Sequence, residues 1–170
     1  MPAYHSKLNN GEIDFPESCG CALVKFEPNK VNPDDIIGET FAFFRANVFF
    51  RNFPVTTSVD RTLIYMTLYL QQCLVKCEKI TDKKEASREL SIQAQKPFAI
   101  PGEPGFELGS IFSNPKSSKE SDSFRSYIKQ ARAEIGARLC EVLYDGPNGE
   151  KNKWWMAFSK KKFMGKEFKN

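Results

Sequence analysis

Residues 60–80, DRTLIYMTLYLQQCLVKCEKI, form the densest apolar run of the chain. Leu63, Ile64, Tyr65, Met66, Leu68, Tyr69 and Leu70 are interrupted only by Thr67, so a helix through them has no polar side. Such a helix must be covered all round. The run is too short for a bilayer, which needs about 20 apolar residues. Ile, Tyr and Thr also favour strands. However, Ser58 or Asp60 can cap a helix start, and Leu70, Cys73, Leu74 and Cys77 continue at helical spacing. The pattern predicts a central helix with other helices packed around it.

Three further amphipathic segments fit that role. Asn32 is a candidate cap, with Pro33 at the first helical position and Asp34 and Asp35 in the first turn. Ile37, Phe41, Phe44 and Val48 then repeat at helical spacing, Phe43 and Phe50 widen the stripe, and Pro54 ends the helix near Asn52. Over 81–95, Asp82 and Glu85 have capping-box spacing before a sparse set of Ala86, Leu90, Ile92 and Ala94, which predicts a surface helix. Over 118–144, Phe124, Ile128, Ala131, Ile135, Leu139 and Val142 form one stripe, and Gly136 within it marks a close helix crossing.

Between these helices, residues 96–116 form a long Pro/Gly-rich connector. Pro101-Gly102 and Pro104-Gly105 each suit a type II turn, and Phe98, Ile100, Phe106 and Ile111 can pack it on the core. Residues 1–31 read as an irregular arm with a short strand at 22–26. The expected fold is thus mostly all-α: one multihelical domain over 1–170, with a central buried helix, a long Pro/Gly loop and a C-terminal segment at 151–170.

Charge changes the picture only in that last segment. The chain carries +4 overall, too little for 170 residues to imply nucleic acid by itself. Residues 151–170 hold seven lysines and one acid, a local +6 that leaves −2 for everything before it. Interleaved with Trp154, Trp155 and Phe158, these lysines admit three readings. They could contact phosphates of nucleic acid or anionic membrane while the aromatics stack or insert. They could steer an acidic protein partner onto aromatic anchors. Or the aromatics dock on the core and the lysines stay solvated.

Nothing marks an enzyme. The chain has no Gly-rich phosphate loop, nucleophile elbow or zinc-ligand cluster, and its single histidine is His5. Five cysteines, an odd number without regular spacing or a secretory leader, point to reduced buried thiols in the cytosol rather than bridges or metal ligands.

Six blocks carry a family resemblance: PAYHS (2–6), FRANVFFRNF (44–53), DRTLIYMTLYL (60–70), IPGEPGF (100–106), RLCEVLYD (138–145) and KWWMAFSKKKFM (153–164). Together they resemble the p21-type subunit, subunit 3, of the actin-related protein 2/3 complex. The resemblance implies a mostly helical, non-catalytic structural subunit of the complex that nucleates branched actin filaments. Its partners would be the actin-related proteins and the other subunits, and the actin filament through the assembled complex, with no nucleic acid and no membrane span. ATP belongs to the actin-related subunits, so no cofactor is implied here. The implied location is cytoplasmic, in the actin cytoskeleton at the cell cortex and projections. On the matched blocks and interface composition, the expected anchors are Tyr4, His5, Phe106, Trp154 and Trp155, with Lys160, Lys161 and Lys162 as the electrostatic component. The alternative is a free-standing basic helical module that binds nucleic acid or anionic membrane through its C-terminal segment.

Overall fold

A computed structural model of the chain describes residues 3–30 and 32–169; Met1, Val31, Asn170 and Pro2 of the PAYHS block lie outside the described residues. A 3-10 turn at Lys7–Asn10 leads to a small hairpin of β1 (Glu17–Ser18) and β2 (Cys21–Ala22). The helices follow: α1 (Ile36–Asn47), α2 (Ser58–Lys76), α3 (Lys83–Gln95), α4 (Ser118–Leu143) and the single turn α5 (Lys153–Met156). Further 3-10 turns lie at Cys77–Lys79 and Phe163–Gly165. The described chain is mostly helical, as the periodicity predicts.

Every residue of α2 from 62 to 74 is buried, because α1, α4 and β2 all pack against it. Its cap is Thr57 rather than Ser58 or Asp60, although Asp60 completes the capping box. The Thr57 hydroxyl accepts from the Asp60 N–H (3.1 Å), and the Asp60 carboxylate accepts from the Thr57 N–H in return. α3 lies on α4, where a Cβ on Gly136 would stand 3.2 Å from that of Leu90.

Several boundaries differ from expectation for local reasons. α1 is capped by Asp35, whose Oδ1 accepts the Gly38 N–H at 2.7 Å, while Asn32 instead caps a preceding turn by accepting from Asp34. α1 also stops at Asn47 rather than near Asn52: the Phe49 and Phe50 N–H groups turn to the Ala46 and Asn47 carbonyls, three residues back, while the Asn47 side-chain amide holds the N-terminal arm (Nδ2 to the Tyr4 carbonyl, Oδ1 to its N–H). The strand expected at 22–26 is confined to Cys21–Ala22, and the Val24 carbonyl accepts from the Tyr127 hydroxyl instead of a strand partner. In α3, Ile92 is exposed and Gln93 takes the inward position; in α4, Leu143 rather than Val142 closes the buried stripe.

The hairpin turn places Cys19 at φ 55° and Gly20 at φ 77°, the two positive angles of a type I′ turn. Cys19 is held in that conformation from both sides: its N–H donates to Glu120 Oε1 (2.7 Å) and its carbonyl accepts from the Ser113 N–H (3.1 Å). In the connector, the Ile100 carbonyl accepts from the Glu103 N–H and the Glu103 carbonyl from the Phe106 N–H, with Gly102 and Gly105 at φ 91° and 87°. Ile100, Leu108 and Phe112 are buried beneath it.

The polar residues of α2 hold the irregular segments. Asp60 receives the arm: His5 Nδ1–H donates to Oδ1 at 2.8 Å, Asn9 Nδ2 to the same oxygen at 2.7 Å, and the Thr56 N–H to Oδ2 at 2.9 Å. Arg61 holds the hairpin tip and the connector, donating to the Gly20 and Ile111 carbonyls. Thr62 donates to the Ala22 carbonyl at 2.6 Å. Gln71 clamps the C-terminal segment, accepting from the Phe163 N–H (2.8 Å) and donating to the Lys166 carbonyl (3.1 Å). Apolar residues of α2 therefore organise the helices, and its polar residues organise the loops.

A second tie joins the end of the arm to α4. Arg138 makes a bidentate pair with Asp35 (2.9 and 2.7 Å) and a further bond from Nε to Glu134 (2.9 Å), and it also donates to the Lys30 carbonyl. All three charged side chains are buried, so each depends on the others for its charge.

Candidate partner-binding surface

The exposed aromatics follow from α1 carrying more rings than one stripe can bury. Ile37, Phe44 and Val48 face inward, and Phe49, just past the helix end, is left 60 % exposed. Met164 donates its N–H to the Phe50 carbonyl and so lays the C-terminal segment along this end of α1. Phe158 meets the Phe49 ring edge-on at 5.7 Å, and Lys161 Nζ stands 5.4 Å from the same ring centroid. Phe49, Phe158 and Lys161 thus form one mixed apolar and cationic patch.

Asn152 caps α5 by accepting from the N–H groups of Trp154 and Trp155, and the single turn sends the two indoles apart. Trp154 is 73 % exposed. Trp155 departs from the surface role expected of it: it is 8 % exposed, stacked on Phe44 (5.8 Å), edge-on to Phe41 (5.7 Å) and under Arg45. Its work is to fix α5 to α1, which sets where Trp154 points.

Tyr4 is 46 % exposed and stacks on Phe43 of α1 at 5.5 Å, its backbone held by Asn47. His5 is half-buried between Phe53 (4.3 Å between rings) and Asp60. Lys160, Lys161 and Lys162 are all exposed, and Lys162 pairs with Glu167 at 3.3 Å, a solvent-screened contact. Phe106 belongs to a different group, edge-on to Phe112, which continues to Phe124 and Tyr65. The fold therefore gathers Phe49, Phe158 and Lys161 on the tail side of α1. It sets Tyr4 on Phe43 and leaves Phe106 with the connector. Phe43 was read as part of the α1 stripe, whereas Phe49 and Phe158 were legible only as surplus aromatics in FRANVFFRNF and KWWMAFSKKKFM.

Burial and local hydrogen bonds account for the shifted ionisable groups. Burial alone would raise the Asp60 pKa, but hydrogen bonds from His5, Thr56 and Asn9 outweigh it and hold the carboxyl below its ordinary range. All five cysteines are buried thiols without disulfides. Burial pushes Cys21 up to about 12 and Cys140 up to about 11. Among the described residues no group of three or more His, Cys, Asp or Glu could hold a metal ion, and no helix is long and apolar enough to cross a membrane.

A family model described as P21-Arc, the ARP2/3 complex ARPC3 (21 kDa) subunit, matches residues 1–168. The chain belongs to this family. Relatives match along nearly their whole length. The "Probable actin-related protein 2/3 complex subunit 3" of Caenorhabditis elegans is 36 % identical over 98 % of this chain and 95 % of its own. The "Actin-related protein 2/3 complex subunit 3" of Dictyostelium discoideum is 39 % identical over 96 % and 98 %, and that of Arabidopsis thaliana 37 % over 95 % and 96 %. The family match includes the arm at 7–35 and the helix at 81–95, which stand outside the six sequence blocks.

Proposed function

We propose that this chain is a non-catalytic structural subunit of an ARP2/3 complex, docking on the actin-related subunits and supporting nucleation of branched actin filaments. The observation that carries this reading is the family match over residues 1–168. The chain acts as one rigid block built on α2, works without a cofactor of its own, and resides in the cytoplasmic actin cytoskeleton, at the cortex and in projections.

The docking face in this proposal is the outer side of α1 with the C-terminal segment. Trp154 and Phe49 are the exposed anchors, Phe158 and Tyr4 widen the apolar area, and Lys160, Lys161 and Lys162 steer an acidic actin-fold surface. His5 and Trp155 act from beneath, one holding the arm and the other α5. Phe106 lies outside this face.

The test is replacement of Trp154 and Phe49 by alanine together, and separately of Lys160, Lys161 and Lys162 by glutamate, in cells that depend on the tagged chain. Exposed side chains of this kind leave folding intact, whereas loss of an interface anchor costs about 2 kcal/mol or more of binding. Both variants should recover actin-related proteins poorly, and the extract should branch filaments weakly. Undiminished assembly and branching by both would refute the docking face.

A further inference from the structure

Between α2, α4, the connector and the C-terminal segment lies a cavity of about 390 Å³, within the range of small-molecule sites. Four aromatic side chains, Tyr65, Phe98, Phe106 and Phe168, form part of its walls. One cation sits among them. Arg132 also lines the cavity, is only 4 % exposed, and is clamped between the rings of Tyr69 and Phe98, each centroid 4.5 Å from its guanidinium carbon.

The contrast with Arg138 is informative. Arg138 is buried with two carboxylates. Arg132 donates to the Gln93 carbonyl at 2.8 Å, but among the described residues no carboxylate lies within ion-pair distance of it, and its Nε has no hydrogen-bond partner. The one acid on the lining, Glu107, makes no ion pair with it, and two further lysines, Lys96 and Lys169, border the same space. A buried guanidinium without a counter-charge is costly, and ring faces offset only part of that cost. The missing component is an anion, and the walls suit an apolar ring.

We propose that this cavity binds a small organic carboxylate bearing an aromatic ring, with the carboxylate on Arg132 and the ring among Tyr65, Phe98, Phe106 and Phe168.

The test uses the full chain, with 2-naphthoate as probe and the uncharged 2-naphthamide as its control, measured by calorimetry and by NMR. Naphthoate should bind at least about tenfold more tightly than the amide, because only the acid supplies a charge-assisted partner for the guanidinium. Chemical-shift changes should centre on the four wall aromatics. Arg132→Met should abolish the preference for the acid. Should that variant fail to fold, Phe106→Ala, at a half-buried position, should weaken naphthoate about threefold or more. Equal affinity for acid and amide, no binding of either, or shifts centred elsewhere would overturn the site.

Discussion

If Gln71 is the clamp on the C-terminal segment, its removal has a calculable cost. Gln71→Ala deletes the acceptor for the Phe163 N–H, at 2.8 Å, and the donor to the Lys166 carbonyl, at 3.1 Å. Each stranded buried polar group costs about 1–3 kcal/mol. Phe163 is fully buried, so its N–H has no other outlet, whereas half-buried Lys166 can turn its carbonyl towards water. The total is then about 2–4 kcal/mol, with the truncation cavity contributing within that range. At this chain length it corresponds to a fall of roughly 4–16 °C in Tm. Gln71→Met keeps most of the volume while losing both bonds, and should still cost about 2 kcal/mol. Thermal and urea unfolding give the totals, and hydrogen exchange locates them: the Phe163 amide should lose protection before the amides of α2. A cost below about 0.5 kcal/mol for both variants, typical of surface positions, would refute the clamp.

Arg138→Ala strands the buried Asp35 and Glu134 carboxylates and should cost about 3–5 kcal/mol in urea unfolding; a loss under 1 kcal/mol would show that the triad does not tie the arm to α4. Asp60 has a lowered pKa in the fold, so its contribution is fully present above its unfolded value of about 3.9 and is lost as pH falls through the folded value. Asp60→Asn should therefore destabilise at pH 7, with the difference from the parent chain shrinking as pH falls below the ordinary carboxylate range; a pH-independent difference would contradict this. Burial that raises Cys19 and Cys140 to about 11 and Cys21 to about 12 predicts that iodoacetamide at pH 8 labels the native chain slowly. All five thiols should react once urea unfolds it, and rapid native labelling of any one would contradict its burial.

The helices were legible because apolar spacing reports the face each buries: the stripe of α4 from Phe124 to Leu139 and the unbroken run of α2 are both inward in the fold. What periodicity could not show was the use of polar residues. Asn47, Gln71 and Gln72 are polar residues within or beside the apolar patterns, yet all three are buried. Asn47 and Gln71 satisfy backbone groups of segments distant in sequence, and a pairing between positions 71 and 163 leaves no trace in local pattern. The hairpin was hidden for a related reason: Cys19 is not a residue that announces a positive φ, and only Glu120 and Ser113, about a hundred residues away, hold it there. For the surface, the segment 151–170 was visible from composition, but which tryptophan faces outward depends on the Asn152 cap and the rings of α1, so Trp154 and Trp155 were indistinguishable in sequence.

The central claim, that this chain works as one subunit of an actin-related assembly, is tested most directly by size-exclusion chromatography of native lysate, blotted for this chain and for actin-related proteins. The account predicts co-elution in one large species that persists through moderate salt, as an interface with an apolar centre should. Elution near 19.4 kDa, separate from those proteins, would contradict it and leave the basic C-terminal segment to be tested on lipids and nucleic acid.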